Sequence, residues 1–400
     1  MADLVLGIDF GTTYTSAGAL VDGRVELVQD QGDVAMPSVV YVPRSGDPLV
    51  GQRAAARAVS DPGATVGSIK RLIGLPATPE AIRRIGAVTP HHLRVVGGSV
   101  VVTTSNGELA CEQLAAAIFA QVRDLAERRF GGRAKRAVVT VPAAANAGYV
   151  SGLRRAAKLA HLEIVEVVSE PIAGALALGL HGEPVRRRLV VCDFGGGTFD
   201  VTAIVQDGLR FSPVATYGEE FLGGDDLDTA MAEALAGNIY RRTRFQILDD
   251  RVRRAQLLQH CESAKRALTT QQATRLMLRD AFIEQGQYRA LDVLVDRTWI
   301  EPIWKPIIDR AIACVATTLT RARWTAREVD RIVLIGGSSS VPLFRRLLAE
   351  AVGADKVATT PFAGVAVAMG ATLVTARLVG AKVPQPVLAS EVDEIPIYVG

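Results

Sequence analysis

Two short segments, Asp9-Phe10-Gly11-Thr12-Thr13 and Asp193-Phe194-Gly195-Gly196-Gly197-Thr198-Phe199-Asp200, each follow directly on an apolar run, Leu4 to Ile8 and Leu189 to Cys192. Such runs read as strands buried on both faces. Each delivers an aspartate and then a hairpin of small residues whose backbone amides can approach phosphate oxygens. Asp9 and Asp193 suit a magnesium ion held through water, because magnesium keeps much of its hydration and takes one or two carboxylates beside phosphates. A single glycine cluster marks an ordinary turn just as well. Its repetition constrains the fold, since each half of the chain must then end a buried strand at a phosphate loop.

A third element completes the set. Arg331 to Ile335 is another strand-like run, followed by Gly336-Gly337-Ser338-Ser339-Ser340 and a helix-like stretch from Pro342 through Glu350. Glycines at that turn let a flat ring lie against the backbone, and a helix start offers free amides to an anion. Strand, diglycine and helix occur in any doubly wound sheet. Together with the two aspartate loops they read as an adenosine site.

Eight motifs then fall in one order: Asp9 to Tyr14, Ile69-Lys70-Arg71-Leu72-Ile73-Gly74, Val139-Thr140-Val141-Pro142-Ala143, Ser169-Glu170-Pro171, Asp193 to Asp200, Gly223-Gly224-Asp225-Asp226-Leu227-Asp228, Glu262-Ser263-Ala264-Lys265-Arg266 and Ile335-Gly336-Gly337-Ser338. In this order the chain resembles, from about residue 4 to about residue 376, the ATPase domain of the DnaK-type, seventy-kilodalton heat-shock chaperones. The resemblance implies an actin-like two-lobed α/β fold, with duplicated ribonuclease-H-like subdomains carrying inserted outer subdomains. Lobe I is expected over 1–182, its inner subdomain from 1–38 and 112–182 and its outer insertion from 39–111. Lobe II follows over 183–380, its inner subdomain from 183–228 and 305–380 and a mainly helical outer insertion from 229–304. Residues 381–400, with Pro384, Pro386 and Pro396, read as an extended tail or linker. Such a plan leaves a cleft between lobes for ATP or ADP with magnesium.

Each candidate residue has a plain reading beside the one the resemblance implies. Lys70 on residues alone is a solvated surface lysine; the resemblance makes it a γ-phosphate contact. Glu170 before Pro171 is a charge favoured at a helix start, or by resemblance the group that positions the attacking water. Asp200 caps its own turn, or orients that water and the hydrated ion. Thr13 and Thr198 carry turn hydroxyls that also suit phosphate oxygens. Glu262, Lys265 and Arg266 share one helical face and form a surface ion pair, or by resemblance a clamp on ribose and adenine. The resemblance also sets Gly11, Thr12, Tyr14, Gly195, Gly196, Gly197, Gly224, Gly336, Gly337 and Ser338 around the nucleotide.

Bulk properties narrow the field further. A length of 400 residues supports two or three domains, and a net charge of +3 with scattered arginine clusters argues against a nucleic-acid groove. Aromatic residues at 5% leave few stacking platforms for single strands. Cys111, Cys192, Cys261 and Cys314 stand far apart and read as buried thiols of a reducing, cytoplasmic compartment. His91, His92, His161, His181 and His260 show no metal-ligand spacing. The N-terminus lacks the pattern of a signal peptide, and Gly364 to Ala376 is too short to span a bilayer.

Departures from the resembled pattern matter too. The usual Tyr-Phe-Asn-Asp-x-Gln-Arg is replaced by Ala144-Ala145-Asn146-Ala147-Gly148-Tyr149-Val150, which removes the arginine that links nucleotide state to the peptide-binding domain. Glu166 stands in place of a basic residue, Ser340 in place of a base-side arginine and Gly364 in place of an aspartate. No Leu-Leu-Leu linker or peptide-binding sandwich follows residue 380, so a C-terminal region or a separate protein partner is expected to complete the chain. Three classes of function remain open: an ATPase with slow turnover driving a chaperone cycle, a nucleotide-gated interaction module, and a small-molecule kinase of the same fold.

Overall fold

The computed structural model describes residues 3–75, 78–86, 89, 91–179, 186–208, 210–358 and 360–379. The expected tail at 381–400, the expected boundary at 182/183 and His181 lie outside these residues. The chain forms two compact units, one from the described parts of 1–185, 207–211 and 360–398 and the other from those of 186–206 and 212–359.

The first unit is built on the Asp3–Phe10 strand, buried along nearly its whole length. It pairs in parallel with Arg133–Val141 and antiparallel with Tyr14–Val21. Glu163–Ser169 extends the sheet on one side and Arg24–Leu27 on the other. Side chains alternate across a strand, so Phe10 and Asp9 face opposite ways. Phe10 goes into the core against Phe119 of the Cys111–Phe130 helix, ring centroids 5.4 Å apart. Within 39–111 stand two small three-stranded sheets, one of Val40–Tyr41, Leu49–Val50 and Thr65–Val66, the other of His92–Val96, Ser99–Thr104 and Gly107–Ala110.

One expected boundary is corrected. The sequence reading carries lobe II through residue 380, yet the Ala366–Leu378 helix packs on Asp3–Phe10, Tyr14–Val21, Arg133–Val141 and the Glu170–Ala177 helix, all in the first unit. Small residues on both sides allow this close seat. A Cβ on Gly7 would lie 2.2 Å from the Thr372 amide nitrogen, and one on Gly370 would lie 1.8 Å from the Ala173 carbonyl oxygen. The buried hydroxyls of Thr372 and Thr375 are satisfied within the helix, by the carbonyls of Ala368 and Thr372.

The second unit centres on a five-stranded sheet in the order Arg210–Glu220, Thr198–Asp207, Arg186–Phe194, Arg331–Ile335, Val357–Ala358. Arg186–Phe194 and Arg331–Ile335 run parallel with Asp193 opposite Ile335, so the glycine hairpin and the Gly336-Gly337 turn leave the same edge as neighbours. Phe194 and Phe199 flank the hairpin and turn inward against Phe344, with ring centroids 4.9 to 5.7 Å apart. Both ends of the loop are thereby anchored in the core. Helices Gly224–Thr243, Arg251–Leu268, Arg297–Ala322 and Pro342–Val352 cover the sheet and its insertion. The insertion also holds an antiparallel hairpin, Ala273–Glu284 with Gln287–Asp296, which the mainly helical expectation did not include.

Candidate functional site

In the first unit the site grows from the end of the central strand. Phe10 pairs with Thr15 and Asp9 with Ser16 across the hairpin Gly11-Thr12-Thr13-Tyr14. The Thr140 hydroxyl, on the parallel neighbour strand, donates to Asp9 Oδ1 at 3.1 Å. Thr140 stands in one of the eight sequence motifs but was assigned no part in the site, because only the parallel register brings it beside Asp9. Lys70 sits on the short 3-10 turn Ile69–Leu72, entered through Ser68 at φ 53°. Its ammonium donates to Glu170 Oε1 at 2.7 Å, and the two side chains are only 12% and 10% exposed. The surface-lysine reading is thereby excluded. Glu170 opens its helix after Ser169, with Pro171 in the first turn.

These charges set one another. Asp9 keeps an exposed edge, yet burial first and Glu170 second push its carboxyl up to about 6, against the pull of Lys70 and the Thr140 hydrogen bond. Burial opposes the Lys70 charge most strongly, but Glu170, Tyr149 and Asp9 together outweigh it and hold the ammonium above its ordinary range. Asp9 is thus a half-buried carboxylate short of counter-charge, which fits a cation. Among the described residues no group of three or more His, Cys, Asp or Glu could hold a metal ion. A cation at Asp9 would take most of its ligands from water and phosphate, a ligand set that suits magnesium. The Thr13 hydroxyl, on the adjoining hairpin, is a buried oxygen with no hydrogen-bond partner among the described residues, and it suits a phosphate oxygen.

In the second unit the Gly195-Gly196-Gly197 loop is held by its carbonyl oxygens. Gly195 accepts from the Gly224 amide at 3.0 Å and the Ser338 hydroxyl at 2.8 Å, Gly196 from the Asp225 amide at 2.7 Å, and Gly197 from the Phe221 amide at 3.1 Å. One cluster thereby joins three of the sequence motifs. Asp193 lies against the Gly336 turn, where φ is 78° and an added Cβ would stand 2.7 Å from the Asp193 Oδ1 atom. Gly337 and Ser338 begin the 3-10 turn that follows. Thr198, half-buried, closes the hairpin by accepting from the Gly195 amide at 3.1 Å. Asp200 points to Gly218 of the next strand, where an added Cβ would come within 2.2 Å of its Oδ1. Gly218 was invisible as a site residue because nothing local to it signals the contact.

The clamp residues differ from one another. Lys265 is buried and donates to Asp228 Oδ2 at 2.6 Å and to the Gly224 carbonyl at 2.9 Å. It ties the Arg251–Leu268 helix to the start of the Gly224–Thr243 helix, so it is not part of a surface ion pair. Burial pushes Asp228 up to about 7 despite Lys265, while Glu262 and Asp225 add to the rise. Glu262 and Arg266 are half-buried on the same helix. Glu166 meets Arg377 of the Ala366–Leu378 helix at 3.3 Å on the surface. Cys111, Cys192, Cys261 and Cys314 are free and buried. No helix among the described residues is long and apolar enough to cross a membrane.

Fold and site define a class, an α/β chain that carries an aspartate-bearing strand and its hairpin twice, with a lysine–glutamate pair beside the first. The chain belongs to the Hsp70 family: the family described as Hsp70 protein matches residues 5–398. Membership implies the actin-like ATPase fold. The chain is 34% identical over 387 residues to the heat shock 70 kDa protein BIP3 of Oryza sativa subsp. japonica, covering 94% of this chain and 56% of the relative. It is 30% identical over 400 residues to the chloroplastic stromal 70 kDa heat shock-related protein of Pisum sativum, covering 99% of this chain and 54% of the relative. The chain thus spans little more than half the length of these relatives.

Proposed function

We propose that this chain binds ATP with magnesium and hydrolyses it slowly, its nucleotide state gating the hold on a protein partner or client through closure of the lobes. The observation that carries the reading is the buried Lys70–Glu170 pair set beside Asp9, an arrangement suited to a transferring phosphoryl group and its water. Amides of the Gly11–Thr13 loop and of the Gly195–Thr198 loop beyond Gly195, whose own amide closes the hairpin, hold phosphate oxygens in this reading. Lys70 meets the γ-phosphate, and Glu170, Asp200 and Thr198 orient a water in line with it. Asp9 and Asp193 would hold magnesium through water, and the ion supplies charge neutralisation when bound. Glu262, Lys265 and Arg266 face the adenosine together with Gly336, Gly337 and Ser338, while Tyr14 and Gly224 line the same site. A cytoplasmic, reducing setting belongs to this reading and is supported by the four separate free thiols.

Melting of the protein with and without Mg-ATP tests the proposal. A ligand at a hundredfold over its dissociation constant stabilises the native state by about 2.7 kcal/mol. No shift at millimolar nucleotide overturns it.

A second reading is a nucleotide-gated interaction module with little turnover, whose partner is a dedicated protein or an attached C-terminal region. It is favoured by the replaced segment 144–150 and by Glu166, whose charge pairs with Arg377. Single-turnover hydrolysis with a generic J-domain protein separates the two. Strong stimulation supports the chaperone cycle, and equal binding of ATP and ADP without turnover supports the module.

A further inference from the structure

The Tyr149 side chain is buried, 8% exposed, and its hydroxyl has no hydrogen-bond partner among the described residues. Its place is fixed from two directions. Asn146 caps the Ala147–Leu159 helix by accepting from the Tyr149 amide at 2.9 Å. Gly74, just past the Lys70 turn, lies so close that an added Cβ would stand 2.4 Å from the Tyr149 backbone nitrogen. The loop bearing Lys70 is therefore pressed onto the helix turn bearing Tyr149. Lys70, Glu170 and Asp9 are all near enough to act electrostatically on the hydroxyl.

A buried hydroxyl without a partner is destabilising, and tyrosine is a costly choice where phenylalanine would fill the same space. What the position offers is a donor within electrostatic reach of an ammonium, on a rigid helix turn. Donor and cation together suit a doubly charged oxyanion rather than a neutral group. The Thr13 hydroxyl, on the hairpin that follows Asp9, is another buried oxygen without a partner among the described residues.

We propose that Tyr149 is a specificity-determining residue whose hydroxyl donates to the terminal phosphate of a nucleoside triphosphate beside Lys70. The inference rests on the nucleotide reading above. It explains how the chain would tell a triphosphate from a diphosphate with a residue outside its glycine loops.

The test is Tyr149→Phe, with Mg-ATP and Mg-ADP affinities measured by calorimetry and the melting temperature measured without nucleotide. ATP affinity should fall roughly tenfold or more, the usual range for a lost hydrogen bond to a charged group, while ADP affinity stays within about twofold. The melting temperature without nucleotide should be unchanged or higher, because the hydroxyl lost has no partner to leave behind. An unchanged ratio of ATP to ADP affinity, or an equal fall in both, overturns the proposal and leaves the nucleotide reading standing. A lower melting temperature also overturns it, since the hydroxyl would then have a structural partner. If the unsubstituted protein binds neither nucleotide, both readings fall.

Discussion

Replacing Lys265 by methionine tests how the second unit holds its glycine loop. The ammonium lies 2.6 Å from Asp228 and 2.9 Å from the Gly224 carbonyl, with the two charged side chains 10% and 8% exposed. Its loss leaves Asp228 buried with Glu262 and Asp225 as charged neighbours, and Asp228 Oδ1 already has no partner among the described residues. Removing one member of a buried ion pair costs about 3–5 kcal/mol, which lowers the melting temperature of a unit this size by roughly 10 °C.

The sign with pH follows from Asp228, whose carboxyl burial pushes up to about 7. A raised acid favours the folded state in its protonated form, so the stability it contributes is lost as pH rises through the folded value. Without the opposing Lys265 cation that value rises further. The penalty of Lys265→Met should therefore grow between pH 6 and pH 8, by no more than about 1.4 kcal/mol for the one pH unit above the folded value of about 7. Melting followed by near-ultraviolet circular dichroism at both values, on nucleotide-free protein, provides the measurement. The double variant Lys265→Met/Asp228→Leu should recover most of the loss and flatten the pH response. An equal penalty at both pH values, or a double variant no better than the single, would refute the reasoning.

Three other substitutions bear on separate links. Gly370→Ala drives a methyl group to 1.8 Å from the Ala173 carbonyl, so it should destabilise the first unit by about 3 kcal/mol or more in denaturant melts; a neutral result would mean that the helix is not seated as described. Lys70→Ala should cost about 3 kcal/mol by leaving Glu170 buried beside Asp9, and it should also slow single-turnover hydrolysis at least a hundredfold. Pairing it with Glu170→Ala should restore stability but not turnover. Gly218→Ala displaces the Asp200 carboxylate and should lower the single-turnover rate about tenfold with nucleotide affinity nearly intact, which stopped-flow and calorimetry read separately.

Much of the candidate site was legible because its signals are local. A buried strand, an aspartate and a turn of small residues lie within a dozen residues of one another at both Asp9 and Asp193, and backbone constraints act over that range. The order of eight such motifs was enough to place the chain in its family. Pairings across long separations were not legible: Lys70 meets Glu170 at a separation of 100 residues and Lys265 meets Asp228 at 37. Charge at a helix start or on a helix face looks the same whether its partner is water or a buried carboxylate.

The sequence by itself determined two glycine-loop units, their strands and the residues carrying most of the candidate chemistry, since propensity, turn chemistry and apolar runs are written along the chain. Only the tertiary structure decided what those elements rest on. The Ala366–Leu378 helix reads as apolar and small on every side, a pattern that says it is buried without saying against which sheet. Its place in the first unit follows from the close fit of Gly7 to Thr372 and Gly370 to Ala173. Thr140 beside Asp9, Gly218 beside Asp200 and Tyr149 beside the Lys70 turn have the same origin. Each is a contact of shape and register between distant segments, and shape becomes specific only when both surfaces are present.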